Sequence, residues 1–298
     1  MKTQRYLQRL LIHGVLLVGG VAMMYPLLFA LAVSFMTEAE YSQVSWLPLP
    51  RHLYLGNYFQ LFAGAGNIWL WAFNTLFRIA WYIIVPGATS ILGGYVFARL
   101  RFRGRNLVFI FLLSALLLPG IVFQVPSYVM LARWPLAGGN NLFGLGGSGF
   151  INEWPALLIP GLVNSYYIFF FRQSFYAIPI DYEEAARVDG ATTFQILRLI
   201  YLPMLGPAIA VMVIFQSVAL WNDYVWPWIA VGGNPNVWPV ALGFQQIMAS
   251  SYKVPGVGIA NYPFLLTVAM VASMPPVILF LFLQRYFVEG VQGFGIKG

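Results

Sequence analysis

The chain has 298 residues, of which 60% are hydrophobic, 17% aromatic and only 8% charged, against about 25% charged in soluble domains. That balance excludes an ordinary soluble enzyme and identifies an integral membrane protein, so the net charge of +7 bears on membrane sidedness rather than on nucleic acid. The absence of cysteine excludes disulfides and thiolate metal sites.

Apolar runs recur along the chain, each long enough to cross the roughly 30 Å hydrocarbon core as a helix. They are continuous rather than alternating, which argues against a β-barrel. Six spans are predicted, at about 10–36, 68–98, 106–131, 154–176, 203–228 and 262–287. The first follows Lys2, Arg5 and Arg9 and far exceeds the apolar stretch of a signal peptide, so it is expected to be a retained helix. Pro26, Pro86, Pro119 and Pro126 fall inside spans and predict kinked helices packed against neighbours. The connections 37–67, 132–153 and 229–261 read as turns, most clearly LAGGNNLFGLGGSG at 136–149. The spans leave no room for a soluble domain, and the whole chain, 1–298, reads as one membrane domain.

Basic residues set the orientation, because cytoplasmic segments near a membrane carry the excess of Lys and Arg. With a cytoplasmic N-terminus, Lys2, Arg5, Arg9, Arg99, Arg101, Arg103, Arg105, Arg172, Arg187, Arg198, Arg285 and Lys297 lie inside, and Arg51, Arg133 and Lys253 outside. Only Arg78 sits within a span.

Four of the nine acidic residues fall between Asp181 and Asp189, where the chain leaves the fourth predicted span. Pro179 should end that span. A helix is predicted to follow, with Asp181 as N-cap, Glu184 as its capping-box partner and an acidic first turn favoured by the helix dipole. Tyr182, Ala185, Ala186 and Asp189 share one helical face with small side chains at its centre. Gly190 suits the reversal, and Thr192 with Gln195 forms a second capping box that opens a helix over Phe194–Leu202, ended by Pro203. This helix, turn and helix looks built to dock.

These residues resemble the inner-membrane permease subunits of binding-protein-dependent ABC importers, whose cytoplasmic loop carries an EAA…G…I.LP signature. Here it reads Glu184-Ala185-Ala186, Asp189-Gly190-Ala191 and Leu199-Ile200-Tyr201-Leu202-Pro203, with Tyr201 where many relatives carry a smaller or aliphatic residue. YYIFFFRQSFYAIP at 166–179, WNDYVWP at 221–227 and GFGIKG at 293–298 narrow the resemblance to carbohydrate importers of the maltose type, across essentially the whole chain. It looks like the second, six-helix permease of such systems.

The resemblance implies an all-α, polytopic ABC importer type I permease fold with both termini cytoplasmic, in the bacterial cytoplasmic (inner) membrane. It implies that the loop 179–203 is a coupling helix seated in an ATPase subunit through Glu184, Ala185, Ala186, Asp189, Gly190, Ala191 and Pro203, and that Lys297 and Gly298 of the tail contact the ATPases. The implied partners are a homologous second permease, an ATPase dimer, an extracytoplasmic solute-binding protein, a sugar or oligosaccharide and the bilayer, with no nucleic acid. The chain itself is expected to bind no cofactor, ATP and Mg being held by the ATPase subunits.

Ionisable and polar groups within spans are candidate pathway residues, because burying them in a bilayer is costly. Arg78, beside Asn74, either faces a water-filled path or pairs with Asp223, the competing readings being snorkelling to the interface and a pairing with the sister subunit. Asn222 and Asp223, between Trp221 and Tyr224, combine the aromatic and polar groups that sugars favour, and Gln124, Tyr166 and Gln216 either line a pathway or bind helices together. Trp226 and Trp228 read as an interfacial aromatic belt. His13 and His52 lack metal-ligand neighbours, and the glycine runs at 138–149 and 232–236 lack the lysine of a phosphate loop. An ion-coupled transporter is the alternative, but it would place acids at mid-membrane. A membrane enzyme would need converging catalytic groups, whereas Glu183 and Glu184 diverge by about 100° on a helix.

Overall fold

The computed structural model describes residues 2–44, 46–64, 66–251 and 261–293, and every regular element among them is helical. Two compact units are present, one comprising residues up to Ile68 together with Gly243–Pro275, the other Trp69–Leu242 together with residues from Pro276 onward.

In the first unit the helix Lys2–Ser34 starts earlier than its apolar run, since nothing in the polar first turns interrupts it. Its side chains from Leu10 to Leu28 are nearly all exposed, as suits a helix that is apolar all round and faces lipid or another span. It stops where Asn57 donates to the carbonyls of Ser34 and Met36 at 3.0 and 2.9 Å. Thr267 donates to the same Ser34 carbonyl at 3.2 Å, and Val33, Met36, Leu61, Phe264 and Val268 are buried nearby in this unit. Thr37 then caps a single turn, Glu38–Tyr41.

The second unit is organised on the helix Ile68–Arg99, close to its predicted bounds. Gly94 lets this helix touch the helix Ser165–Tyr176, because a Cβ there would lie 2.6 Å from that of Phe171. Tyr95, Phe171, Phe175, Ile196, Leu197, Tyr201, Leu205 and Met212 form the adjoining core.

The remaining spans differ from simple kinked rods. The predicted 106–131 span is two helical pieces, Arg105–Leu117 and Gly120–Ala132, set at 101°. Pro119 provides no N–H and forces Leu118 into extended geometry (φ −93°, ψ 132°). The predicted 154–176 span is not one helix but two short ones, Trp154–Leu158 and Ser165–Tyr176, parted at Pro160 and at Gly161 with φ +85°. The predicted 203–228 span begins at Gly206 after a 71° bend and stops at Asn222, with Val225–Val231 a separate helix.

Such irregular backbone survives in an apolar setting only if its polar groups are satisfied, and the Ile68–Arg99 helix satisfies them. Trp81 donates to the Leu158 carbonyl at 3.2 Å and Thr89 to that of Leu162 at 2.7 Å, while the Tyr82 hydroxyl meets the carbonyls of Leu157 and Pro160. Near its start, Trp71 donates to Pro235 at 3.0 Å, and Thr75 accepts the Val240 N–H at 2.8 Å.

Three helical stretches among the described residues, Arg9–Ser34, Ile68–Arg99 and Tyr262–Phe282, are long and apolar enough to cross a membrane, and two further bent pairs qualify as broken spans.

Candidate functional site

The segment after Pro179 folds as helix, glycine turn and helix. The expected N-cap, Asp181, instead occupies the first helical position: Ile180 is already helical (φ −66°, ψ −26°), and its carbonyl accepts from the N–H groups of Glu183 and Glu184 at 2.8 and 3.1 Å. Asp181, Glu183 and Glu184 remain an acidic first turn with Arg187 in the last, both favourable to the dipole. Gly190, at φ +81°, closes the helix in a Schellman motif, with Ala191 N–H donating to Ala186 at 2.9 Å and Gly190 N–H to Arg187 at 3.1 Å.

The capping box of Thr192 and Gln195 forms as expected, with bonds of 3.3 and 2.7 Å. Beyond it Leu197–Tyr201 widens into a π turn, which relieves the clash that Pro203 would otherwise make with the carbonyl four residues earlier. Pro203 therefore lies inside a short helical piece, Leu202–Met204, and the chain bends at Leu205 instead.

Burial divides the signature residues. Glu184, Ala185, Asp189, Gly190 and Pro203 are exposed, and Ala191 is half-buried. Tyr182 is 52% and Val188 88% exposed, so Tyr182, Ala185, Val188 and Asp189 form an outward surface. Ala186 does not belong to it: the side chain is buried in the core beneath the helix, because the inward stripe runs through Glu183 and Ala186, three residues apart.

Glu183 organises that inner side, a role its sequence position did not disclose. One carboxylate oxygen accepts from Arg187 Nη2 at 2.7 Å and Nε at 3.2 Å. The other accepts the Tyr201 hydroxyl at 2.6 Å and lies 4.0 Å from Arg99 Nε. Arg99 also donates to the carbonyls of Phe175 and Ile178 at 2.6 and 2.5 Å, and its guanidinium sits 5.2 Å from the Tyr201 ring centre. The Glu183 carboxylate holds the Arg187 guanidinium above its ordinary pKa through hydrogen bonding and charge. One carboxylate thus ties together the end of the Ile68–Arg99 helix, the 181–188 helix and the π turn. The i, i+4 spacing of Glu183 and Arg187 was the available sequence signal.

Among the candidate pathway residues, Arg78 and Asp223 are joined at 2.6 Å, with the Arg78 side chain 3% exposed and that of Asp223 26%. Arg78 Nε and Nη1 have no hydrogen-bond partner among the described residues, and the guanidinium lies 5.6 Å from the Tyr82 ring centre. Asp223 sits at the break that follows Asn222 (φ −77°, ψ 110°).

Asn74 is buried and donates to the carbonyls of Asn236 and Trp238 at 2.9 and 3.0 Å. Asn222 is exposed and bonds within its own helix to Val218 at 2.8 Å. Gln216 is half-buried, Tyr166 is exposed with its ring against Tyr167, and Gln124 borders a shallow hollow with Val125, Tyr128 and Ile229. No hydrogen bond among the described residues joins Gln124, Tyr166 or Gln216 to the Arg78–Asp223 pair. Trp228 is exposed, whereas Trp226 donates inward to Ala156 at 3.0 Å. Lys297 and Gly298 lie outside the described residues.

Residues 90–293 match the family described as binding-protein-dependent transport system inner membrane component, and the chain belongs to that family. It is 29% identical over 299 residues to the arabinooligosaccharides transport system permease protein AraQ of Halalkalibacterium halodurans, covering 100% of this chain and 99% of that protein. It is 27% identical to the sn-glycerol-3-phosphate transport system permease protein UgpE of Pectobacterium atrosepticum, covering 94% of each. Its fold is similar to a chain in the crystal structure of a bacterial ABC transporter involved in the import of the acidic polysaccharide alginate, with a TM-score of 0.77 at 21% identity over 96% of this chain and 98% of that one. The chain is accordingly a multi-pass, helical, inner-membrane permease of the ABC importer class.

Proposed function

We propose that this chain forms half of the translocation pathway of an ATP-driven importer for a sugar or oligosaccharide, and that it acts mechanically rather than as an enzyme. Its single permease domain places six spans in the bacterial inner membrane with both termini in the cytoplasm, counting each of the two bent pairs and the broken 154–176 stretch as one span. A homologous permease completes the pathway, an extracytoplasmic binding protein delivers the solute, and an ATPase dimer binds the ATP and Mg.

The observation that carries this reading is the outward surface of the 181–188 helix, small at Ala185 and flanked by Tyr182, Glu184, Val188 and Asp189, rigidly backed by Glu183. That surface seats on the ATPase, with Gly190, Ala191 and Pro203 setting its attitude, Ala186 acting from beneath, and Lys297 and Gly298 making a second contact. Binding of the helix to a closing ATPase would transmit the closure to the spans as a two-state rearrangement. The Arg78–Asp223 pair, with Asn222, Gln216, Gln124 and Tyr166, marks the candidate pathway. An ion-coupled mechanism is the less favoured reading, since Asp223 is already neutralised by Arg78.

The names of the relatives, which include arabinooligosaccharide and lactose systems, support a carbohydrate solute. The test is reconstitution of the full complex and measurement of ATPase stimulation by its binding protein charged with a panel of sugars. Stimulation by one sugar class is expected; solute uptake driven by an ion gradient without ATPase would overturn the reading. A crosslink from Ala185 to the ATPase subunit tests the contact directly.

A further inference from the structure

The link between the Ile68–Arg99 helix and the next helical piece holds four arginines in seven residues, Arg99, Arg101, Arg103 and Arg105, and their fates differ. Arg99 is committed to Glu183 and two carbonyls. Arg105 donates once, to the Leu100 carbonyl at 3.1 Å. Arg101 and Arg103 are exposed, and none of the ion pairs among the described residues includes Arg101, Arg103 or Arg105.

Gly104 turns the chain at φ +82° and opens the helix Arg105–Ser114 with no side chain to cap it, so the amides of Asn106 and Leu107 lack an intrahelical acceptor. Arg101, Gly104, Arg105 and Asn106, with Phe102 and Leu107, surround a hollow of about 310 Å³. The helix rising from it presents Leu107, Ile110 and Phe111 on one face, 74%, 66% and 77% exposed, while Phe109 on the opposite side is buried. A cationic hollow lined by free amides therefore lies at the foot of an exposed apolar strip, which is the shape of an amphiphile.

We propose that this hollow binds the phosphate headgroup of an anionic phospholipid, with Arg101 and Arg105 on the phosphate and the acyl chains along Leu107, Ile110 and Phe111. Guanidinium groups meet phosphate oxygens in pairs of parallel hydrogen bonds, and basic pockets beside spans attract anionic lipids. A free anion would use the hollow but not the strip, and an acidic protein surface would not cover a strip that continues into the span. Neither Arg101 nor Arg105 belongs to the surface proposed to meet the ATPase.

The purified complex, mixed in detergent with phosphatidylglycerol or phosphatidylcholine, would be examined by native mass spectrometry. Retention of phosphatidylglycerol over phosphatidylcholine is expected, and R101Q/R105Q should weaken it about 30-fold, from the roughly fivefold that each cation near a leaflet contributes. R103Q, outside the hollow, should weaken it about fivefold or less. A photoreactive phosphatidylglycerol should label residues 101–111 of the unaltered protein, which keeps the idea testable if the double variant fails to fold. Equal retention of the two lipids, displacement of the lipid by millimolar inorganic phosphate, an R103Q effect as large as that of the double variant, or labelling elsewhere would each overturn the proposal. So would unchanged lipid retention in R101Q/R105Q, whether or not the ATPase subunit is lost.

Discussion

The Tyr201 hydroxyl donates a 2.6 Å hydrogen bond to Glu183, and this contact fastens the outward helix to the chain that leads into the next span. Both side chains are buried, and the same carboxylate faces Arg99. Y201F removes a hydrogen bond to a charged group, which is worth about 1.5 to 3 kcal/mol, and should lower the unfolding temperature of the purified complex. E183Q leaves buried Arg99 facing a neutral amide and should destabilise at least as much. The double variant should lose less than the sum, because both changes act on one network. Full additivity in thermal unfolding would dissociate the two residues.

Ala185 and Ala186 are neighbours with opposite surroundings, one exposed and one in the core. A186L overfills a packed site and should cost about 1 to 3 kcal/mol. A185L should leave stability within about 0.5 kcal/mol yet reduce co-purification of the ATPase subunit. Full assembly of the A185L complex would remove Ala185 from the contact.

Part of the local chemistry of this region was legible in the sequence, although the Asp181 cap did not form and Pro203 did not end its helix. Thr192, Gln195 and Gly190 act on groups within five residues of themselves, and the turn and capping box follow from residue type alone. Glu183 and Tyr201 are 18 residues apart, so their bond depends on how two helices fold back, which no spacing rule states. Asn74 is the sharper case: as a polar residue in a span it invited a pathway role, whereas its partner carbonyl at Asn236 is 162 residues away. Pro119 announced a kink, but the 101° bend depends on packing around it. In the predicted 154–176 span, Pro160, Gly161 and Asn164 are breakers hidden inside an apolar run, and the donors that make the break affordable lie on another helix.

Gly190 is exposed and a Cβ there would meet nothing within 4 Å, so its requirement is conformational rather than steric. At φ +81° any other L-residue pays for left-handed backbone, about 1 to 2 kcal/mol. G190A should lower the unfolding temperature, and G190N should recover part of the loss because asparagine tolerates this conformation. If alanine and asparagine behave alike, the turn has relaxed to another geometry.

The Arg78–Asp223 pair has a buried cation and a carboxylate that is partly open, so its two halves are not equivalent. D223N strands the guanidinium, whose Nε and Nη1 already lack partners among the described residues, and should destabilise by about 3 kcal/mol or more. R78M leaves a carboxylate that water can still reach, and should cost less. Replacing both, as R78M/D223L, removes the uncompensated charge and should recover most of the stability lost in D223N, since an ion pair taken from water is often matched by apolar packing. Thermal unfolding of the four proteins in one detergent gives the coupling. Uptake by the double variant then separates two roles: transport restored along with stability makes the pair a structural clasp at the Asp223 break, whereas a stable complex that no longer transports places its charges in the pathway.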